Sequence, residues 1–190
     1  MGFEQLPPGK AAGDIAALAI SMKRAWLKER GILSAAIEDN RLRSFFRDVA
    51  ASPLQPTGCQ VSVLRSAGEA AAVQIGLASK GRLAMHVIVY NLKLEKSAPG
   101  ALAIEHCIEQ AYRDGIACFD LLAPGDAYKM EWADGVVAVA DHAVPMSQAG
   151  KVYIRLYLAL LRNGLKRAVT QSPPWARRLL HRLYTLRECG

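Results

Sequence analysis

Ser97-Ala98-Pro99-Gly100-Ala101-Leu102-Ala103-Ile104-Glu105-His106-Cys107-Ile108-Glu109-Gln110-Ala111-Tyr112-Arg113-Asp114-Gly115-Ile116-Ala117-Cys118-Phe119-Asp120-Leu121-Leu122 is the stretch on which the fold turns. Ala101, Ile104, Ile108, Ala111 and Tyr112 recur at helical spacing and predict a helix over 101–114. Pro99 and Gly100 open it, and Gly115 stands just past its end, where glycine is favoured. Ile116–Leu122 is apolar apart from Asp120 and reads as a buried strand. The segment before the helix, Arg82–Tyr90, also reads as a strand. A strand–helix–strand crossover of this length implies a parallel or mixed sheet.

Working outward, Gln60–Arg65, Ala70–Ser79 and Arg82–Tyr90 are three short apolar runs separated by Ser66-Ala67-Gly68-Glu69 and Lys80-Gly81. They predict an antiparallel meander. Strict alternation places Leu83, Met85, Val87 and Val89 on one face of the third strand, with His86, Ile88 and Tyr90 on the other. Two helices precede the meander. One covers 14–30, with Asp14 as its cap and Ile15, Leu18, Met22 and Trp26 as its stripe. The other covers Asn40–Ala51, buried through Leu42, Phe45, Phe46 and Val49. Past Trp132, Val136–Asp141 reads as a further strand. Lys151–Val169 and Pro174–Arg187 read as two tail helices.

The 190 residues are 52% hydrophobic and 22% charged, which excludes a disordered chain and suits one domain. No apolar run reaches the ~20 residues that span a bilayer, and Met1–Lys10 lacks a signal-peptide core, so the expected location is cytoplasmic. Cys107 and Cys118 are expected to be core thiols, and no cysteine or histidine has metal-site spacing. The net charge of +7 is uneven: residues 1–150 carry 15 Lys and Arg against 16 Asp and Glu, and residues 151–190 carry nine against one. A nearly neutral body with a cationic tail makes nucleic acid an unfavoured partner for the body and points to a partner for the tail. In 151–187 basic residues alternate with apolar ones at helical spacing. Either the tail packs on the domain with a solvated basic face, or it adheres to an anionic membrane surface.

The element order resembles the GNAT acyltransferase fold: a mixed, mostly antiparallel central sheet flanked by helices, here followed by a helical tail. Ser97-Ala98-Pro99-Gly100-Ala101, together with the run from Gly115 through Gly125-Asp126-Ala127-Tyr128-Lys129-Met130-Glu131-Trp132, is similar to the cellulose-biosynthesis (CelD-like) acetyltransferases, relatives of the FemAB-type aminoacyltransferases. The resemblance implies a GNAT-like domain over 1–148 and a basic helical tail over 149–190. It implies an acetyl-CoA-dependent N- or O-acyltransferase acting on a small-molecule or glycan acceptor, a cell-envelope or polysaccharide precursor. Members carry a second lobe, so this chain reads as one lobe, a degenerate copy, or half of a homodimer. The rival is a non-catalytic module that binds a protein partner or an anionic membrane surface through its tail, peripheral at the inner membrane surface.

The residues have their own chemistry beside the resemblance. A helix start presents unpaired N–H groups and a positive dipole end, which suits a pyrophosphate. Lys96, Ser97, Gly100, Ala101 and Leu102 are therefore the candidate cofactor contacts. Pro99 stands where the ordinary GNAT phosphate loop has its first glycine, and it supplies no N–H. Asp120, a lone acid in an apolar strand, either handles a proton with Tyr128 and Lys129 or caps the turn at the strand's end. His86 reads as a sheet histidine rather than a general base.

Overall fold

The computed structural model describes residues 1–32, 34–53, 58–140 and 142–162, with single positions 164, 168 and 172 beyond them. It falls into two units, Met1–Asp126 and Ala127–Gly190.

The first unit is built on five strands in the order β1-β2-β3-β4-β5. β1 is Gly2–Leu6, β2 Gly58–Ser66, β3 Glu69–Ser79, β4 Arg82–Tyr90 and β5 Cys118–Asp120. The first four run antiparallel, and β5 is parallel to β4 through Arg82↔Cys118, Leu83↔Phe119 and Ala84↔Asp120. The predicted meander and crossover are both present. The tight turns after β2 and β3 hold Ala67-Gly68 and Lys80-Gly81 at positive φ, as two-residue hairpins whose twist matches the strands require. β1 is an addition: Gly2–Leu6 has no alternation of its own and takes its register from β2.

Helices cover both faces. α1 (Lys10–Glu29), α2 (Ala35–Glu38) and α3 (Asn40–Ala51) lie on one face. Ala16, Ala19, Ile20 and Phe46 are buried there against Val61, Val63, Val73, Ile75, Val87 and Val89. α1 starts one turn earlier than expected, after Gly9, and Asp14 pairs with Lys10 rather than capping. α4 (Pro99–Arg113) covers the other face. Its buried residues are Pro99, Ala103, Ile104, Cys107 and Ala111. Ala101 is exposed and Tyr112 is 85% exposed, so the stripe is rotated from the expected one. Gly115, at φ 69, closes the helix: its N–H reaches the Tyr112 carbonyl and that of Ile116 reaches Ala111.

Alternation along β4 breaks at one residue. Ile75 pairs with Val87 and Gly76 with Met85, which leaves His86 as the extra residue of a β-bulge. A bulge shifts the side-chain phase by one. Leu83 and Met85 accordingly pack with Ala111 on the α4 face, while Val87 and Val89 join the α1/α3 core. The four do not share a face as strict alternation required. His86 is exposed, its ring 6.4 Å from that of Phe46.

The second unit begins with α5 (Ala127–Met130). Residues 136–140 form no strand, and Val136, Val137 and Val139 are all about three-quarters exposed. Among the described residues they have no partner strand to supply hydrogen bonds, and an apolar run alone does not make a sheet. α6 (Gln148–Val152) begins at Ser147, whose Oγ accepts from the Gly150 N–H, and runs on as a π-helical segment over Tyr153–Leu161. The remainder of the first tail helix, apart from single positions, and all of the second lie outside the described residues. Among the described residues no helix is long and apolar enough to cross a membrane.

Candidate active site

The sheet opens near the bulge at His86. β5 follows β4 only as far as Ala84, two residues before it, and a bulge bends and twists its strand. From Met85 to Tyr90, β4 runs on without β5 beside it. The edge is not bare throughout: Lys23 of α1 sends its Nζ to the Ile88 carbonyl at 3.0 Å.

α4 begins at the same end of β4. A 3₁₀ segment, Leu92–Ser97, leads from Tyr90 to Ala98, which stands in the left-handed conformation (φ 46, ψ 45) ahead of Pro99. Leu102 already bonds the Ala98 carbonyl and Pro99 has no N–H, which leaves the N–H groups of Gly100 and Ala101 for an anion. Lys96 and Ser97 are exposed on the segment just before them. Of the five expected cofactor contacts, then, Lys96, Ser97, Gly100 and Ala101 lie together around the helix start with free donors, while the Leu102 N–H is already used.

Gly100 has a second reason for being glycine. A Cβ there would stand 3.1 Å from Cδ1 of Tyr90, so the helix rests on the tyrosine ring. That space is taken up by packing against Tyr90. The Tyr90 hydroxyl donates to Glu95 Oε1 at 2.8 Å and accepts from Arg30 Nη2 at 3.1 Å; Arg30 also reaches Glu95 at 2.7 Å. The Tyr90 hydrogen bond, with the Arg30 guanidinium, holds the Glu95 carboxyl below its ordinary pKa against a smaller opposing effect of burial. Arg30 lies 4.0 Å from the centre of the Trp26 ring, and Trp26 meets Tyr90 edge-on at 6.3 Å. Sequence reasoning missed Lys23, Arg30, Tyr90 and Glu95 as site residues: the contacts of Lys23 and Arg30 span 60 to 65 residues, and no local pattern marks the Tyr90–Glu95 pair, five residues apart.

Asp120 sits at the end of β5 with its side chain 28% exposed, not sealed in an apolar strand. One carboxylate oxygen accepts the Leu122 N–H at 2.8 Å and the other faces Arg82 Nη1 at 3.3 Å. Leu122 holds φ 57, so the carboxylate pins a turn in the left-handed region where leucine is uncommon. This is the turn-capping arrangement, with Arg82 as the ionic partner. Tyr128 and Lys129 lie on α5 of the second unit, Tyr128 42% exposed and the Lys129 ammonium 6.0 Å from its ring centre. Cys107 is buried as expected, and burial pushes its thiol up to about 11; Cys118, expected in the core, is exposed.

Residues 9–130 match the family model described as an acetyltransferase (GNAT) domain. No curated protein matches the sequence. Among solved structures, the chain is similar to an aminoglycoside acetyltransferase from an uncultured soil metagenomic sample, determined in complex with sisomicin. The identity is 10% and the TM-score 0.52, with 75% of this chain and 95% of that chain covered. This likeness concerns the fold. The family match spans the bulged β4, the helix start and β5, the elements that frame the opening. The chain belongs to the GNAT acetyltransferase-domain family.

Proposed function

We propose that the chain is an acyl-CoA-dependent N- or O-acyltransferase that uses acetyl-CoA and acts on an amine or hydroxyl of a cell-envelope or polysaccharide precursor, within the CelD-like branch. The observation that carries the reaction class is the opening of β4 from β5 at the end where α4 presents the N–H groups of Gly100 and Ala101. The branch rests on the two sequence motifs at 97–101 and 115–132.

Acetyl-CoA, when bound, supplies an activated thioester carbonyl. The chain's part is to hold and polarise it. Gly100 and Ala101 would donate to its pyrophosphate and Lys96 would add a point charge, with Ser97 in the same loop. Backbone N–H groups along Met85–Tyr90 that β5 leaves free are donors for an oxygen gaining charge. Asp120 fixes the turn that ends β5, a positioning role. In the second unit, Tyr128, with Lys129 beside its ring, is the group to which the sequence motif at 115–132 assigns proton handling.

The test is release of the CoA thiol from acetyl-CoA with a panel of amine and hydroxyl acceptors, amino sugars and an aminoglycoside included. Acceptor-dependent release is expected. Binding of CoA without release to any acceptor would favour the non-catalytic module. For the tail, we propose adhesion of residues 151–187 to an anionic membrane surface. The charge division supports it, as do the exposed Tyr153, Leu156 and Leu161 at its start.

A further inference from the structure

We propose that Tyr90, clamped by Glu95 and Arg30, is the positioning residue that sets the direction of the two free N–H groups at the start of α4. The inference rests on the acyl-CoA reading above. With only Gly100 and Ala101 offering donors, their direction counts for more than in a loop with many. Nothing local fixes it: α4 has no side-chain cap, and its N-cap is Ala98. The orientation therefore has to come from tertiary contacts, the burial of Pro99 and the Tyr90 ring under Gly100, and of these the ring lies against one of the two donor residues.

The ring is itself held at three points. Its hydroxyl is bonded to Glu95, in the 3₁₀ segment that feeds α4, and to Arg30, just past the end of α1. Arg30 is fixed in turn over Trp26, whose ring meets Tyr90 edge-on. Tyr90 thus ties the end of β4, the 3₁₀ segment, α1 and the first turn of α4 into one closed circuit. The charges agree with this role. A carboxylate beside a pyrophosphate site repels the ligand, and Glu95 is tolerable there because Arg30 offsets it.

The clamp makes a prediction opposite to that of simple electrostatics. Removing the Glu95 charge should, by Coulomb's law alone, tighten binding of an anion. If Glu95 instead holds Tyr90, its removal weakens binding. The experiment measures the CoA dissociation constant by calorimetry on wild type, Tyr90→Phe and Glu95→Ala. Melting temperatures of the free proteins and amide hydrogen exchange at Leu102, whose N–H closes the first turn of α4 on the Ala98 carbonyl, are recorded alongside. Both variants should bind CoA about fivefold more weakly, the size of one lost hydrogen bond. They should melt within about 3 °C of wild type, and exchange should quicken at Leu102 but not across the sheet. Unchanged or tighter CoA binding by Glu95→Ala, with unchanged exchange at Leu102, would overturn the proposal. Failure of wild type to bind CoA would instead remove the acyl-CoA reading, and the exchange measurement would still decide whether Tyr90 holds the helix start.

Discussion

Gln74 is the least comfortable residue in the first unit, and replacing it should stabilise the protein. It lies on the central strand β3 with 1% of its surface exposed, and neither its amide nitrogen nor its amide oxygen has a partner among the described residues. Its cross-strand neighbours are Ser62 and Ile88. It faces α4, where Ser62 hydrogen-bonds Cys107 instead. A buried polar group without a partner costs about 1–3 kcal/mol. Gln74→Met keeps the length of the side chain, removes both polar atoms and makes no cavity. A gain of about 2 kcal/mol is expected, or about 6 °C in melting temperature for a unit of this size. Urea unfolding followed by far-ultraviolet circular dichroism measures it, and the midpoint should rise with no change in slope. Gln74→Glu has nearly the same shape but buries an unpaired carboxylate, and should cost several kcal/mol at neutral pH. A lower midpoint for Gln74→Met would refute the reasoning, because it would mean that the amide makes hydrogen bonds worth more than its desolvation.

Asp120→Asn keeps an acceptor for the Leu122 N–H but loses the charge facing Arg82, so stability should fall by under about 1 kcal/mol. Acetyl transfer should fall little, whereas Asp120→Leu, which loses the turn contact, should lower it strongly; equal activity in all three proteins would remove any positioning role. Burial pushes the thiols of Cys59 and Cys107 up to about 11, so the folded form holds their protons where the unfolded form has lost them. The thiols' contribution to stability should therefore be constant below about pH 9 and decline from there toward pH 11. In a Cys189→Ser background at pH 8, a thiol reagent should modify Cys118 alone until the protein unfolds. Removing residues 170–190 should sharply weaken sedimentation with anionic vesicles at low salt, and equal sedimentation before and after would count against membrane adhesion by the tail.

Much of the framework is written in local patterns. Periodicity marks α3 residue for residue, Asn40–Ala51, and Lys80-Gly81 and Ala67-Gly68 announce the hairpins because those turns need positive φ. The crossover from β4 through α4 to β5 follows from its length alone. What stays hidden depends on partners. Gly2–Leu6 is a strand because β2 offers it an edge, and Val136–Ala140 is not, although it is the more apolar run. The bulge at His86 leaves no mark in composition, yet it changes which β4 residues face α4. For the site, the helix start was legible as far as its free donors, through Pro99, Gly100 and the strand before them. The Tyr90–Glu95–Arg30 clamp was not, since Arg30 joins it from another element. Asp120 stood out as an acid in an apolar run; only the partner, Arg82, and the exposure could tell a turn cap from a buried acid.

The central claim is that the start of α4 binds the pyrophosphate of an acyl-CoA. Gly100→Val cannot test it cleanly, because the new side chain would strike Tyr90 whatever the ligand does. Ala101→Pro can. Ala101 is exposed, proline is tolerated in the first helical turn, and the substitution deletes one of the two free donors. Titration of acetyl-CoA into wild type should show binding, with a melting temperature that rises with ligand concentration. Ala101→Pro should melt as wild type does and bind about tenfold more weakly, the loss expected for one hydrogen bond to a charged phosphate. No binding by wild type, or equal affinity in the two proteins, would contradict the account.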